Sequence, residues 1–206
     1  MALAEIPVSP FDLNFQEPAL SEEQQGDVLK RYKHVDPRGY IPKNLLKEAL
    51  LYFDHNQDKI KNHKYLTVVD FSKFSARRRM FIANMRTGKV RMFHVAHGKG
   101  SDPKGLGYAK TFSNVKDSEA SSLGFYLAAE TYKGEHGYSM RLDGLSPTNN
   151  NARPREIVVH AARYVHEFDI IEGRSLGCLA VSVQSRTSII NWLNGGSLIY
   201  AGLSSP

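Results

Sequence analysis

The chain has a single cysteine, Cys178, in 206 residues. No disulfide can form within it, so a small scaffold stapled by disulfides is excluded, while a lone thiol is compatible with either redox compartment. It has no apolar run approaching the roughly 20 residues that a membrane span needs. Residues 1–10 lack the basic segment and apolar stretch of a signal peptide. There is no His-Glu-x-x-His pattern among the eight histidines. His94 and His97 lie three apart on an expected strand and so face opposite sides, which is poor geometry for sharing a metal. No metal and no other cofactor is expected. The glycines and lysines of residues 97–107 lack a following Ser or Thr after Gly-Lys, and no helical pattern comes after them. That loop is therefore read as a long hairpin connection and not as a phosphate cradle.

What is present begins with charge. The formal net charge is +6, which favours encounter with polyanions, among them nucleic acids and bacterial wall polymers. A nucleic-acid reader should cluster basic residues with stacking aromatics or carry a helix-turn-helix pattern. Only Arg77-Arg78-Arg79 stands out, and it reads as the solvated start of a strand or an edge guard, so no nucleic-acid partner is expected. With 41% hydrophobic and 23% charged residues, the chain is long enough for one substantial core and a small helical appendage.

Two regions follow from the periodicity. Residues 1–62 form an arm and a helical extension. Residues 1–20, rich in Pro, Glu and Gln, read as an extended or poorly ordered arm. Ser21-Glu22-Glu23-Gln24 has the chemistry of a capping box, and Leu45, Leu46, Ala49, Leu50 and Phe53 recur at the spacing of one helix face, with Pro42 at its first turn. This stripe is expected to dock on the second region, residues 63–206. There the period shifts towards two, predicting strands near 65–70, 79–85, 89–96, 123–129, 138–142, 157–160, 179–183 and 197–201, a turn at Thr87-Gly88, and a short helix at 186–193. The fold class expected is mostly β.

Chemistry concentrates at two residues. His160 ends the apolar run Ile157-Val158-Val159, and Cys178 follows eighteen positions later within Ser175-Leu176-Gly177-Cys178. A lone cysteine is often only a small buried hydrophobe. Gly173 and Gly177, however, bracket a turn that lets the backbone approach a ligand, which a core strand does not need. A thiol attacks acyl carbons as thiolate, and a neighbouring imidazole that takes its proton is the usual way to supply one.

The chain resembles the L,D-transpeptidases of the YkuD type. In that family a histidine is followed, after roughly fifteen residues, by Ser or Thr, His, Gly and Cys. The segments 112–114, 121–126, Tyr132, 137–142, 155–160 and 173–178 together resemble its divergent murein branch, over roughly residues 65–202. One departure is Leu176, where most members carry a second histidine. The resemblance implies a YkuD-like β-sandwich with the cysteine on a loop at its mouth. It further implies acyl transfer on peptidoglycan tetrapeptide stems through a thioester on Cys178, with His160 as base and the backbone amides of Leu176, Gly177 and Cys178 as oxyanion hole. Arg174, Ser175, Tyr138, Arg141 and His97 are the candidate substrate contacts.

An amine acceptor would give 3,3 cross-links, and water would give an L,D-carboxypeptidase that trims tetrapeptides to tripeptides. A catalytically silent, wall-binding module is the remaining alternative, since Leu176 cannot do what a histidine does. Peptidoglycan stem peptides are the expected partner, the protein is expected as a monomer with no integral membrane segment, and its place is periplasmic or otherwise extracytoplasmic in a bacterium. The resemblance also implies an export signal in the native gene, which this sequence does not show.

Overall fold

The structure, a computed structural model, describes residues 6–204. Helix α1 (Glu22–Arg31) begins on the capping box, with the Gln24 amide donating to Ser21 Oγ at 3.3 Å and the Ser21 amide to Gln24 Oε1 at 2.8 Å. Helix α2 (Lys43–His55) starts after Pro42 and buries Leu45, Ala49, Leu50 and Phe53 together with Leu51 and Tyr52. The arm before α1 is extended, as its composition suggests, but it is tied down. Phe15 is buried, and the Asn56 side chain exchanges two hydrogen bonds of 2.9 Å with the backbone of Gln16. The first five residues of the arm lie outside the described residues.

Among the described residues, eight strands make one sheet: β1 (Tyr65–Asp70), β2 (Met80–Asn84), β3 (Val90–Phe93), β4 (Gly124–Gly134), β5 (Gly137–Gly144), β6 (Val158–Ala161), β7 (Leu179–Val181) and β8 (Ser197–Gly202). Their order is β3-β2-β1-β8-β4-β5-β6-β7, with β1–β8 and β6–β7 parallel and the other pairs antiparallel. Alternate residues separate cleanly between the two faces, as a pleat of period two requires. Phe81, Phe125, Leu127 and Leu198 join the outer cluster under α2. Met80, Ile82, Tyr126, Ala128, Ile199 and Ala201 join the inner cluster, which is completed by α3 (Arg186–Leu193).

The two ends of the sheet approach each other. The Ala96 amide, just past β3, donates to the Ala180 carbonyl of β7 at 2.9 Å, so the inner cluster is enclosed between two halves of one bent sheet. The expected mostly β fold is therefore present, its two layers being a single sheet turned over on itself. Outside, Tyr52 of α2 stacks on Phe125 of β4 at 3.7 Å between ring centroids, and Phe125 on Tyr200 of β8 at 4.4 Å, fastening helix to sheet.

The arginine run is not uniformly solvated. Arg77 and Arg78 are exposed, but Arg79 is fully buried. Its guanidinium donates to the carbonyls of Val95 and Lys73 and to His97 Nδ1 at 2.7 Å, and it lies over the Phe71 ring. Burial pushes its pKa down to about 9, against the pull of Asp70, Glu172 and Asp102, and it stays charged at neutral pH. The segments around Phe71, Lys73, Val95 and His97 close over this side chain, which a reading of exposed charge could not anticipate. Arg79→Ala strands these acceptors without a donor and is expected to destabilise the fold by about 3–5 kcal/mol. Urea denaturation would measure it, and a loss below about 1 kcal/mol would mean the network is dispensable.

Candidate active site

The parallel pairing of β6 with β7 brings the two sequence-predicted residues together. Val159 pairs with Leu179 and His160 with Ala180. Val159, Leu179 and Val181 face the inner cluster, so by the alternation of a strand His160, Ala180 and Cys178 face the other side. Cys178, two positions before Ala180, then stands diagonally across from His160. Both line one cavity of about 950 Å³, walled also by the β4–β5 hairpin tip and by the turns at 155–156 and 162–164.

The turn that presents the cysteine is tied at both ends. Ser175 Oγ donates to the Cys178 carbonyl at 2.8 Å and accepts from the Gly177 amide at 3.2 Å. The Ser175 amide donates to the His97 carbonyl at 2.9 Å, and the Lys99 amide to the Ser175 carbonyl at 2.8 Å. Gly177 has φ +117°, and a Cβ there would stand 2.8 Å from the Ala120 carbonyl oxygen. Gly177→Ala combines left-handed strain with that clash and is expected to destabilise the protein by about 1–3 kcal/mol. A melting temperature equal to that of the parent would show that the turn has room to relax.

Cys178 is half-buried. Its thiol points at the Glu156 carbonyl, Sγ to O 3.6 Å, and not at His160. Burial raises its pKa above the ordinary value, while the Val158 amide bonded to the sulfur and the nearby Arg155 guanidinium pull it down. His160 is only 4% exposed, and its Nδ1 lies 2.9 Å from the Ala161 carbonyl. A carbonyl only accepts, so Nδ1 carries the ring proton and Nε2 holds the free lone pair. Burial lowers the His160 pKa, which keeps the ring neutral with its lone pair unprotonated. The resting pair is thus thiol and imidazole, not thiolate and imidazolium.

Residues 38–201 match the family of L,D-transpeptidase catalytic domains, which is four-fifths of the chain and includes both residues of this pair. The chain belongs to that family. A search of curated proteins returned no match. Solved structures similar to it include an L,D-transpeptidase from Mycobacterium smegmatis, at 14% identity over 68% of this chain and 58% of that one, TM-score 0.42. L,D-transpeptidase 1 of Mycobacterium tuberculosis is 15% identical over 66% and 60%, TM-score 0.36. The helical cell shape determining protein Pgp2 of Campylobacter jejuni is 10% identical over 71% and 50%, TM-score 0.41. The chain spans half to three-fifths of the length of these proteins.

Within this L,D-transpeptidase domain the expected substrate contacts divide. Arg174, Ser175 and Leu176 line the cavity, Leu176 at its rim with 64% of its surface exposed. The Arg174 guanidinium is tied to the Asp102 carbonyl, and the Ser175 hydroxyl is spent on the turn. The Gly177 amide, one of the three expected oxyanion donors, is spent on Ser175. Arg141 does not line the cavity; it stacks over the ring of Tyr132, which does. Tyr138 is also outside, packed on the inner cluster with its hydroxyl 2.9 Å from Asn191 Oδ1 on α3.

His97 is the clearest correction. It is fully buried behind the turn at 175–178, accepting from Arg79 at Nδ1 and facing Asp102 Oδ2 at 3.4 Å from Nε2. Burial and the Arg79 charge bring its pKa down to about 4, so it is neutral and structural. Its contribution is the carbonyl that fixes Ser175.

Several further residues line the cavity that were not among the expected contacts. His136, at the tip of the β4–β5 hairpin, stacks on His160 with ring centroids 4.2 Å apart and planes at 20°. Arg155 donates to the carbonyls of Ser113 and Ala120, both at 2.7 Å, and so fastens the loop opposite the sulfur. Asp117, Glu119 and Glu156 line the cavity and all have positive φ; among the described residues only Asp36 shares that conformation without being glycine. Strained backbone gathered at one hollow is a mark of a functional site. The clustering at 117–119 would have shown only in a backbone, not in the letters.

Proposed function

We propose that this chain is a cysteine L,D-transpeptidase that acts on peptidoglycan tetrapeptide stems in an extracytoplasmic compartment. The observation that carries the reading is the diagonal placement of Cys178 and His160 on one sheet face, lining one cavity, with the imidazole lone pair free. The cavity is of a size that holds a peptide segment, and the family assignment supplies the substrate class.

The chemistry follows from the two side chains. Cys178 turns from the Glu156 carbonyl and gives its thiol proton to His160 Nε2 as the sulfur attacks the carbonyl carbon of the third stem residue, on its L-centre side. The oxyanion is held by the backbone amides of Leu176 and Cys178, donors fixed in place before charge develops on it. The C–N bond then breaks, and the departing D-alanine nitrogen takes the proton from His160. A thioester on Cys178 remains. An amine of a second stem attacks it, giving a 3,3 cross-link and returning the thiol; water in the same role gives a tripeptide and an L,D-carboxypeptidase.

Mass spectrometry of disaccharide-tetrapeptides incubated with the purified protein tests this reading. Cross-linked dimers are expected. Tripeptides alone would make it a carboxypeptidase, and unchanged substrate would favour a silent wall-binding module.

The resting thiol makes a second expectation. Because burial holds the Cys178 pKa above its ordinary value of 9.0, alkylation by iodoacetamide at neutral pH should be slower than for a free cysteine and should still be rising above pH 9. A rate already level by pH 7 would show a preformed thiolate and contradict proton transfer to His160 during attack.

A further inference from the structure

The pairing of β4 with β5 runs to Gly134 and Gly137, leaving Glu135 and His136 as a two-residue turn at the hairpin tip. β5 pairs with β6 only at Met140 with Val159 and Arg141 with Val158, so the distal half of the hairpin extends past that ladder. A bulge between Ala128 and Thr131 re-aims it. The distal half is braced by Arg141, which lies 4.4 Å over the Tyr132 ring and 3.4 Å from Glu130. What this frame delivers to the cavity is one exposed imidazole against one buried imidazole.

His160 is held along one edge by the Ala161 carbonyl, but an edge contact alone leaves the ring free to tilt. The stacked face of His136 removes that freedom, because two flat rings 4.2 Å apart at 20° share a plane direction. With edge and face both fixed, the remaining edge, Nε2, has one orientation. We propose that His136 is a positioning residue of the acyl-transfer reaction: its ring is the plate that sets the plane of His160, and it acts through its flat surface, not through a proton. This rests on the reading of the chain as a cysteine acyltransferase. It brings a second imidazole into the site from an element remote from Leu176.

The test separates plate from proton donor. His136→Ala should lower kcat by roughly ten- to a hundredfold, the scale of a misplaced reacting group, with KM nearly unchanged. His136→Phe, which keeps a flat ring and has no ionisable nitrogen, should recover most of that loss. Turnover of His136→Ala equal to the parent would overturn the proposal, as would a His136→Phe variant no better than His136→Ala. A change confined to KM would overturn it too, since it would mark a substrate contact. In parallel, NMR of the His160 ring protons should show a ring-current shift that disappears in His136→Ala and returns in His136→Phe; a spectrum identical in all three would overturn it independently of chemistry. If the parent itself turns nothing over, the acyltransferase reading falls, and the NMR comparison still decides whether the plate exists.

Discussion

Cys178→Ala is expected to yield no cross-linked dimer and no tripeptide from disaccharide-tetrapeptides, a loss on the order of 10⁴-fold or more, because in the proposed reaction every later step passes through the thioester. The fold should tolerate the change. The side chain is half-buried, and the change gives up only the 3.6 Å contact to the Glu156 carbonyl and the Val158 amide's contact with the sulfur. Retained melting temperature with lost turnover is therefore the expected pair of results, measured by calorimetry and by mass spectrometry of products. Substrate turnover surviving in Cys178→Ala would end the cysteine mechanism. A silent wall-binding module instead predicts no turnover from the parent and muropeptide binding that Cys178→Ala leaves unchanged.

His160→Ala is the second large effect. In the proposed reaction it removes the lone pair that takes the thiol proton, and general base catalysis of this kind is worth roughly 10²–10⁴-fold. The sign of the pH dependence follows from the same geometry. Burial lowers the His160 pKa, so the parent's activity should fall with decreasing pH only below the ordinary histidine range, where the ring gains a proton and can no longer accept one from sulfur. In His160→Ala that acid limb should vanish from the residual activity, and the rate should climb at high pH as thiolate forms unaided. Initial rates across pH for both proteins measure this. An unchanged acid limb in the variant would assign it to another group.

Much of this arrangement can be read from the letters, and what cannot has identifiable causes. The strands are legible because β1, β2, β4 and β8 are short apolar, β-branched or aromatic runs that face buried clusters on both sides. The distal half of β4 escapes notice: Glu130, Thr131 and Lys133 break the apolar run, and only pairing with β5 shows that the strand continues to Gly134. That is the stretch that carries His136 into the site. Cys178 and His160 are legible because residue type and spacing both point to them. His97 misleads, since a histidine beside glycines looks accessible while the fold closes Arg79 and Asp102 around it. Arg79 misleads for the same reason, a charge in a run of charges whose neighbours are exposed while the carbonyls of Lys73 and Val95 and the His97 ring enclose it.

The central claim is that the Cys178 sulfur and the His160 imidazole work as one unit. Acylation of the protein by a carbapenem, followed by intact mass and peptide mapping, tests it without needing the natural acceptor. The parent should gain one adduct, mapped to Cys178, at a rate that drops at least a hundredfold in His160→Ala at neutral pH and recovers towards the parent's as the pH is raised. An adduct elsewhere in the chain, or one that forms on Cys178 equally fast without His160, would contradict the account.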